Sequence, residues 1–329
     1  MELVGAGYME RRTKLNLLSY LITALLLALL FLYVANADLW SQFSGLDYFS
    51  LGMAAALTLV TYCCNGLNVY VQSLNVGFRL EKKDVLLLPL AMGLWGMLLP
   101  FQGGVAYFAV YLKRKYNIAV SGSFSMSFFV YFLTIFLSGI FGILFALLYR
   151  IESFAFWLIS LICLVAPGSI FLTDQIFNYI PEEKLYHFLR PVYRFVRRTV
   201  HGITLLCRDR KTVGLLLLIS FFRTVNLLFY YWWIVRALGC ENISVLALLL
   251  LNLWNSVSFL IRLTPQNIGL AQVVAGGLFA MIGLSPEQGV IISVIDLAVI
   301  SAVALVFGTF AAVWQSRSVI RGRSMMKIG

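Results

Sequence analysis

Leu99-Pro100-Phe101-Gln102-Gly103-Gly104 and Leu263-Thr264-Pro265-Gln266-Asn267-Ile268-Gly269 are two versions of one phrase. Each sets a helix-breaking proline beside glutamine and glycine inside a long apolar run. Gly142 follows Pro100 by 42 residues and Gly308 follows Pro265 by 43, so the phrase recurs in comparable surroundings. Broken apolar segments at matching positions of two halves are the sequence sign of a transporter-type site. Pro100, Gly103, Gly104, Pro265 and Gly269 are therefore read as the turns of two re-entrant hairpins.

The rest of the chain supplies the solvent for such hairpins. Of 329 residues, 61% are hydrophobic and 12% charged, which excludes an ordinary soluble domain. The net charge of +11 fits basic loops facing anionic lipid. No soluble basic domain is present to carry a nucleic-acid role. The five cysteines show neither disulfide nor zinc spacing.

Working outward, Leu15–Ala35 is long enough to span and reads as an uncleaved first helix, although Ala35-Asn36-Ala37 resembles a processing site. The loop 36–47 carries Asp38 and Asp47 but no Lys or Arg. Tyr48–Leu74 spans next, with a polar far end at Asn65, Asn68, Gln72 and Asn75, then Arg79, Lys82 and Lys83. The first hairpin starts and ends at basic residues, the second at a neutral-to-acidic turn, Ser285-Pro286-Glu287. By the positive-inside rule the two open to opposite sides and both termini are cytoplasmic.

The expected fold is an all-α polytopic membrane protein of about six full spans plus two proline-broken hairpins in an inverted repeat. The repeats are read as 1–152 and 153–316, followed by a basic tail at 317–329. Within the second, 173–212 is a basic cytoplasmic segment with apolar residues at helical spacing. It reads either as a surface helix on the anionic inner leaflet, broken near Pro191, or as a plain connector. Tyr230, Tyr231, Trp232, Trp233, Trp40 and Trp314 read as an interfacial belt.

Catalytic chemistry has little to work with. His187 and His201 both lie in the basic segment, the 14 acids fall mostly in loops, and no nucleotide, zinc or nucleophile motif occurs. No catalytic residue, metal or cofactor is assigned. The informative residues are polar ones at membrane depth. Arg223 and Asp296 each lie about ten residues into a span, where a charge costs at least ~2.5–3.5 kcal/mol. They form either a structural salt bridge or a site in which Arg223 meets an anionic headgroup and Asp296 balances it when empty. Arg262 beside the second turn suits phosphate, or anchors the positive inner side. Gln102, Gln266, Asn267 and Gln272 are candidates to line the same cavity, with Asn252 and Asn255 nearby. Helix starts after Pro100 and Pro265 would offer backbone N–H groups to an anion.

The stretch 99–104 leading to Lys113-Arg114-Lys115-Tyr116, and Thr264–Gln272 leading to Gly283-Leu284-Ser285-Pro286-Glu287-Gln288, resemble the transmembrane domain family of lysylphosphatidylglycerol synthases, or flippase-like domain family. The resemblance covers roughly 10–315 and implies a lipid-handling fold. It does not extend to the soluble aminoacyltransferase domain of the two-part synthases, so the chain reads as a stand-alone member. Gly104-Val105 and Gln272 stand where the family often has acids, which turns the expectation from a cationic aminoacyl-lipid toward an anionic or neutral headgroup. The expected function is a lipid or lipid-linked-glycan translocase of the cytoplasmic membrane. Its expected partners are membrane lipids and envelope glycosyltransferases or lipid-modifying enzymes. The alternative is a non-catalytic scaffold for envelope synthesis.

Overall fold

The computed structural model describes residues 45–99, 102–179, 186–187, 189–239, 245–258, 264–281 and 284–325. The first span at 15–35, the 35–37 motif, Trp40, Pro100 and Arg262 lie outside the described residues. Within them the chain is all-α and polytopic, and five helical stretches are long and apolar enough to cross a bilayer.

Helix α1 (Tyr48–Val76) begins where the Asp47 carboxylate accepts from the backbone N–H groups of Phe49 and Ser50, and ends at Gly77, whose φ of 90° only glycine adopts without strain. Helices α2 (Lys82–Leu98) and α3 (Gly103–Tyr116) form the first hairpin. Gly104 is needed there because a Cβ would strike the carbonyl of Met92 on the other arm. Helix α4 (Val120–Leu148) completes the first helix–hairpin–helix unit.

An inserted stretch follows: α5 (Phe154–Val165), a 3-10 turn at Ala166–Gly168, α6 (Ser169–Tyr179) and α7 (Arg190–Arg208). The interruption expected near Pro191 falls just before it, since α7 begins only at Arg190. Pro191 itself sits in the first turn of α7, where its missing N–H costs nothing. One face of α7 is also docked on protein: Ile203 and Leu206 are buried, and the Ser125 hydroxyl on α4 donates to the Thr199 carbonyl at 2.8 Å.

The second helix–hairpin–helix unit begins with α8 (Arg210–Ala237), capped by Asp209 through the Lys211 N–H. Its hairpin is α9 (Val245–Ser258), a 3-10 turn at Pro265–Asn267, and α10 (Leu270–Met281). It closes with α11 (Pro286–Val303), a π-helical turn at Ala304–Gly308 and α12 (Thr309–Met325), so the helix runs on into the basic segment expected as a separate tail.

Contacts fix the directions. Asp47 N–H donates to the Ala237 carbonyl at 3.0 Å, and Asn75 donates to Asp209 at 3.2 Å. Helices α1 and α8 are therefore antiparallel along their full length. The first hairpin is joined at its base beside the end of α1: Glu81 N–H donates to the Tyr116 hydroxyl at 3.1 Å. The base of the second hairpin packs with the end of α8 and the start of α11, in a cluster holding Ile234, Val235, Leu248, Phe279 and Ile291. The two hairpins thus enter from opposite ends of the bundle. Each leans on the closing helix of the other unit. Tyr107 of the first donates to Gln315 at 2.7 Å, and Leu250 of the second clusters with Ile135 and Ala146 of α4.

The outer surface carries exposed Leu67, Leu147, Phe222, Phe229, Val306 and Phe310, as a lipid-solvated bundle requires. Tyr230 and Tyr231, expected in the interfacial belt, are instead 2% and 3% exposed and belong to the core. Antiparallel packing of α8 on α1 turns that face of α8 inward.

Candidate functional site

Between the two hairpin tips lies a cavity of about 270 Å³. Both tips reach it. Gln102 and Gly104 come from the first, Gln266, Asn267 and Gln272 from the second. Helices α1, α4, α8 and α11 supply further walls together with the α2 arm at Pro89, Met92, Gly93 and Gly96, and Arg223 and Asp296 face in from α8 and α11.

The tips share an unusual backbone. Gln102 has φ 65°, Gln266 φ 51° and Asn267 φ 58°, all left-handed. A non-glycine residue there is held against a steric penalty, a state that clusters at functional sites. The second tip is tied down on three sides. Ser301 on α11 donates to Gln266 Oε1 at 2.9 Å, and Thr264 donates to the Ile268 carbonyl at 3.0 Å. Gln272 Oε1 accepts from the Gly269 N–H at 2.7 Å, while its amide donates to the Ser293 carbonyl at 3.4 Å. That is the return half of a capping box. It occupies a helix-start N–H that the sequence suggested was open to an anion, so Gln272 positions the tip as well as lining the cavity.

The two charges are not paired with each other. Arg223 Nη1 donates to Asn65 Oδ1 at 3.0 Å. Asp296 Oδ1 accepts from the Tyr230 hydroxyl at 2.6 Å. No ion pair joins Arg223 to Asp296, or either one to another described residue. Of the two arrangements open to this pair, the salt bridge is not the one adopted: a neutral amide and a phenol hold the two groups apart on different walls. Two opposite charges about 4 Å apart would gain ~4 kcal/mol at an effective dielectric of 20. Held apart, they keep that attraction for whatever enters.

Of the sequence candidates, Arg223, Asp296, Gln102, Gly104, Gln266, Asn267 and Gln272 meet at this cavity. Gly103 instead lies against Leu99 and the Trp95 carbonyl within its own hairpin. Gly269, at φ 85°, starts α10. Pro265 opens the 3-10 turn, and Asn252 is buried at 2% exposure. Sequence reasoning gave no role here to Asn65, Tyr230 or Ser301. A signal for Asn65 was present in the polar residues of α1 spaced three and four apart, the period of one helix face. His201 is a surface residue, its side chain 55% exposed and 3.6 Å from Asp174. Among the described residues no three His, Cys, Asp or Glu side chains converge as a metal site would require.

A family model described as Lysylphosphatidylglycerol synthase TM region matches residues 16–308. No curated protein and no solved structure matches the chain.

Proposed function

The chain belongs to the lysylphosphatidylglycerol synthase TM region family, and on that premise we propose that it is a flippase-like translocase of lipids or lipid-linked glycans. The observation that carries the reading is the cavity between two oppositely inserted tips, with Arg223 and Asp296 in its walls and unpaired. A buried structural pair would be neutralised by contact; a transport site keeps its charges for cargo. Headgroup oxygens would meet Arg223 and the tip amides, while acyl chains stay in the bilayer. The work is passage rather than bond-making, so no catalytic group is assigned. Binding at depth between two broken helices is how transporters with repeated halves hold polar cargo.

The end of the bundle carrying Arg79, Lys82, Lys83, Lys113, Arg114 and Arg210 is placed at the cytoplasmic face of the plasma membrane, with both termini on that side. Anionic inner-leaflet lipids are the partners of this end and of α7.

The test is transport in vesicles of phosphatidylglycerol and phosphatidylethanolamine carrying a headgroup-labelled lipid, read by chemical quenching of the outer leaflet. Arg223→Leu and Asp296→Asn should each cut translocation by at least about tenfold while the purified protein keeps its melting temperature, because the lost contacts serve the cargo. Wild-type rates in both variants would end this reading. So would a wild-type protein that moves no lipid under any headgroup tested.

A further inference from the structure

A polar line runs along α1 from the cavity to the basic end. Thr58, Thr61, Asn65, Asn68, Gln72 and Asn75 recur at alternating spacings of three and four. That is the period of a helix–helix seam, normally filled by apolar side chains. Helix α8 lies antiparallel on this seam. Asn226 donates to Thr61 at 2.9 Å, Arg223 to Asn65 at 3.0 Å, and Asn75 to the Thr212 hydroxyl at 3.3 Å. The register set by these pairs brings Ser220 to the level of Asn68.

The middle of the seam differs from its two ends. Asn68, Gln72 and Ser220 are each 0% exposed. Both amide atoms of Asn68, the Oε1 of Gln72 and the hydroxyl of Ser220 have no hydrogen-bond partner. An unsatisfied buried polar atom is destabilising, and leucine at those positions would pack without that penalty. A seam built only to hold two helices together has no use for such groups. They are suited to a second arrangement in which water or a polar ligand reaches them. Toward the other end of the bundle the cavity meets an apolar plug of Ile234, Leu248, Phe279, Ile291 and Ile292. The polar continuation of the cavity therefore runs one way.

We propose that the α1–α8 seam is the headgroup route between the central cavity and the basic end of the bundle. It is closed in this structure and becomes hydrated when the two helices part. A phosphate-bearing headgroup slides past Gln72, Asn68 and Ser220 toward Arg223. Its acyl chains follow outside, along the exposed Leu67, Leu218 and Phe222 of the same two helices. The identity of the cargo rests on the translocase reading above; the hydration of the seam does not.

The experiment uses the full chain with Cys63, Cys64, Cys163, Cys207 and Cys240 replaced by alanine, reconstituted in vesicles of known orientation. Ser220→Cys and Asn68→Cys are treated with a charged, membrane-impermeant methanethiosulfonate applied from either face. Leu67→Cys, one position away on the lipid-facing side, is the control. Only a hydrated thiolate reacts, so both seam cysteines should label at least about tenfold faster than the control from the basic face. An excess of phosphatidylglycerol headgroup, glycerophosphoglycerol, should slow them. Seam cysteines as inert as the control, or reactive only from the opposite face, overturn the proposal. Should Asn68→Cys fail to fold, Gln72→Cys reads the same seam one turn further along. An inert seam would leave the cavity and its vesicle assay intact. A hydrated seam in a protein that moves no lipid would retire the translocase but keep the route.

Discussion

Asp84 shows how much one side chain does at the open end of the first hairpin. Its carboxylate is 4% exposed and accepts from Lys115 at 2.8 Å, from the Tyr111 hydroxyl at 2.7 Å and from the Tyr116 hydroxyl at 2.5 Å. Lys115 also pairs with Glu81 at 2.9 Å. Asp84 sits in the first turn of α2 and its three donors lie in the last turns of α3, so the residue clasps the two arms at their base. Asp84→Asn keeps the shape but removes the charge, and should lower stability by about 2 kcal/mol, the worth of a charge-assisted hydrogen bond. Asp84→Leu leaves Lys115 with Glu81 alone and takes the acceptor from both tyrosine hydroxyls, so it should cost more, about 3 kcal/mol. Thermal unfolding in detergent reads both; equal melting temperatures for Asn and wild type would show that the clasp is idle. Strain at the tips makes the opposite kind of prediction. Gln102 and Gln266 hold left-handed backbone that glycine adopts freely. Replacing Gln102 by glycine should move stability by no more than about 1 kcal/mol, whereas Gln266→Gly also gives up the hydrogen bond from Ser301 and should lose about 1 kcal/mol; translocation falls in both. A glycine variant that transports normally would mean these side chains do not touch cargo.

Element ends carry the pH dependence. Asp47 starts α1 and Asp209 starts α8, each as a carboxylate accepting backbone and hydroxyl hydrogen bonds. The Ser50 hydroxyl lowers the pKa of Asp47 below the usual carboxylate value, and the Thr212 hydroxyl does the same for Asp209. A carboxyl group with a depressed folded-state pKa adds stability above its unfolded value, and that stability is lost as pH falls through the folded one. The melting temperature should therefore drop below about pH 4, and Asp47→Asn with Asp209→Asn should flatten that acid limb. An unchanged limb in the double variant would place the acid sensitivity elsewhere. Which elements were legible follows from the same chemistry. The broken hairpins could be read because proline beside glutamine and glycine in an apolar run does little except interrupt a helix. Pro191 was harder, since proline reads alike inside a helix, where it breaks it, and at the first turn, where it starts it. Tyr230 was missed because amphipathic aromatics suit both a membrane interface and a buried hydroxyl with a partner. Only the partner, Asp296 on a different helix, decides between them.

At the scale of the molecule, two similar units pack so that each hairpin leans on the closing helix of the other. Loop charge predicted opposite entry because basic clusters flank one hairpin and Ser285-Pro286-Glu287 follows the other. What charge could not give was the seam, since it depends on α1 and α8 meeting antiparallel in one register. The arrangement has a topological consequence that needs no knowledge of cargo. Asn117 follows the returning arm of the first hairpin, and Ser285 lies just past the returning arm of the second. Hairpins entering from opposite ends put these residues on opposite faces of the membrane. In the cysteine-free chain, Asn117→Cys should react with an impermeant maleimide only from the cytoplasmic side and Ser285→Cys only from outside. Labelling of both from one face would require the hairpins to be parallel. The cavity would then open twice to the same side, and alternating access between the two tips would lose its geometric basis, whatever lipids the protein binds.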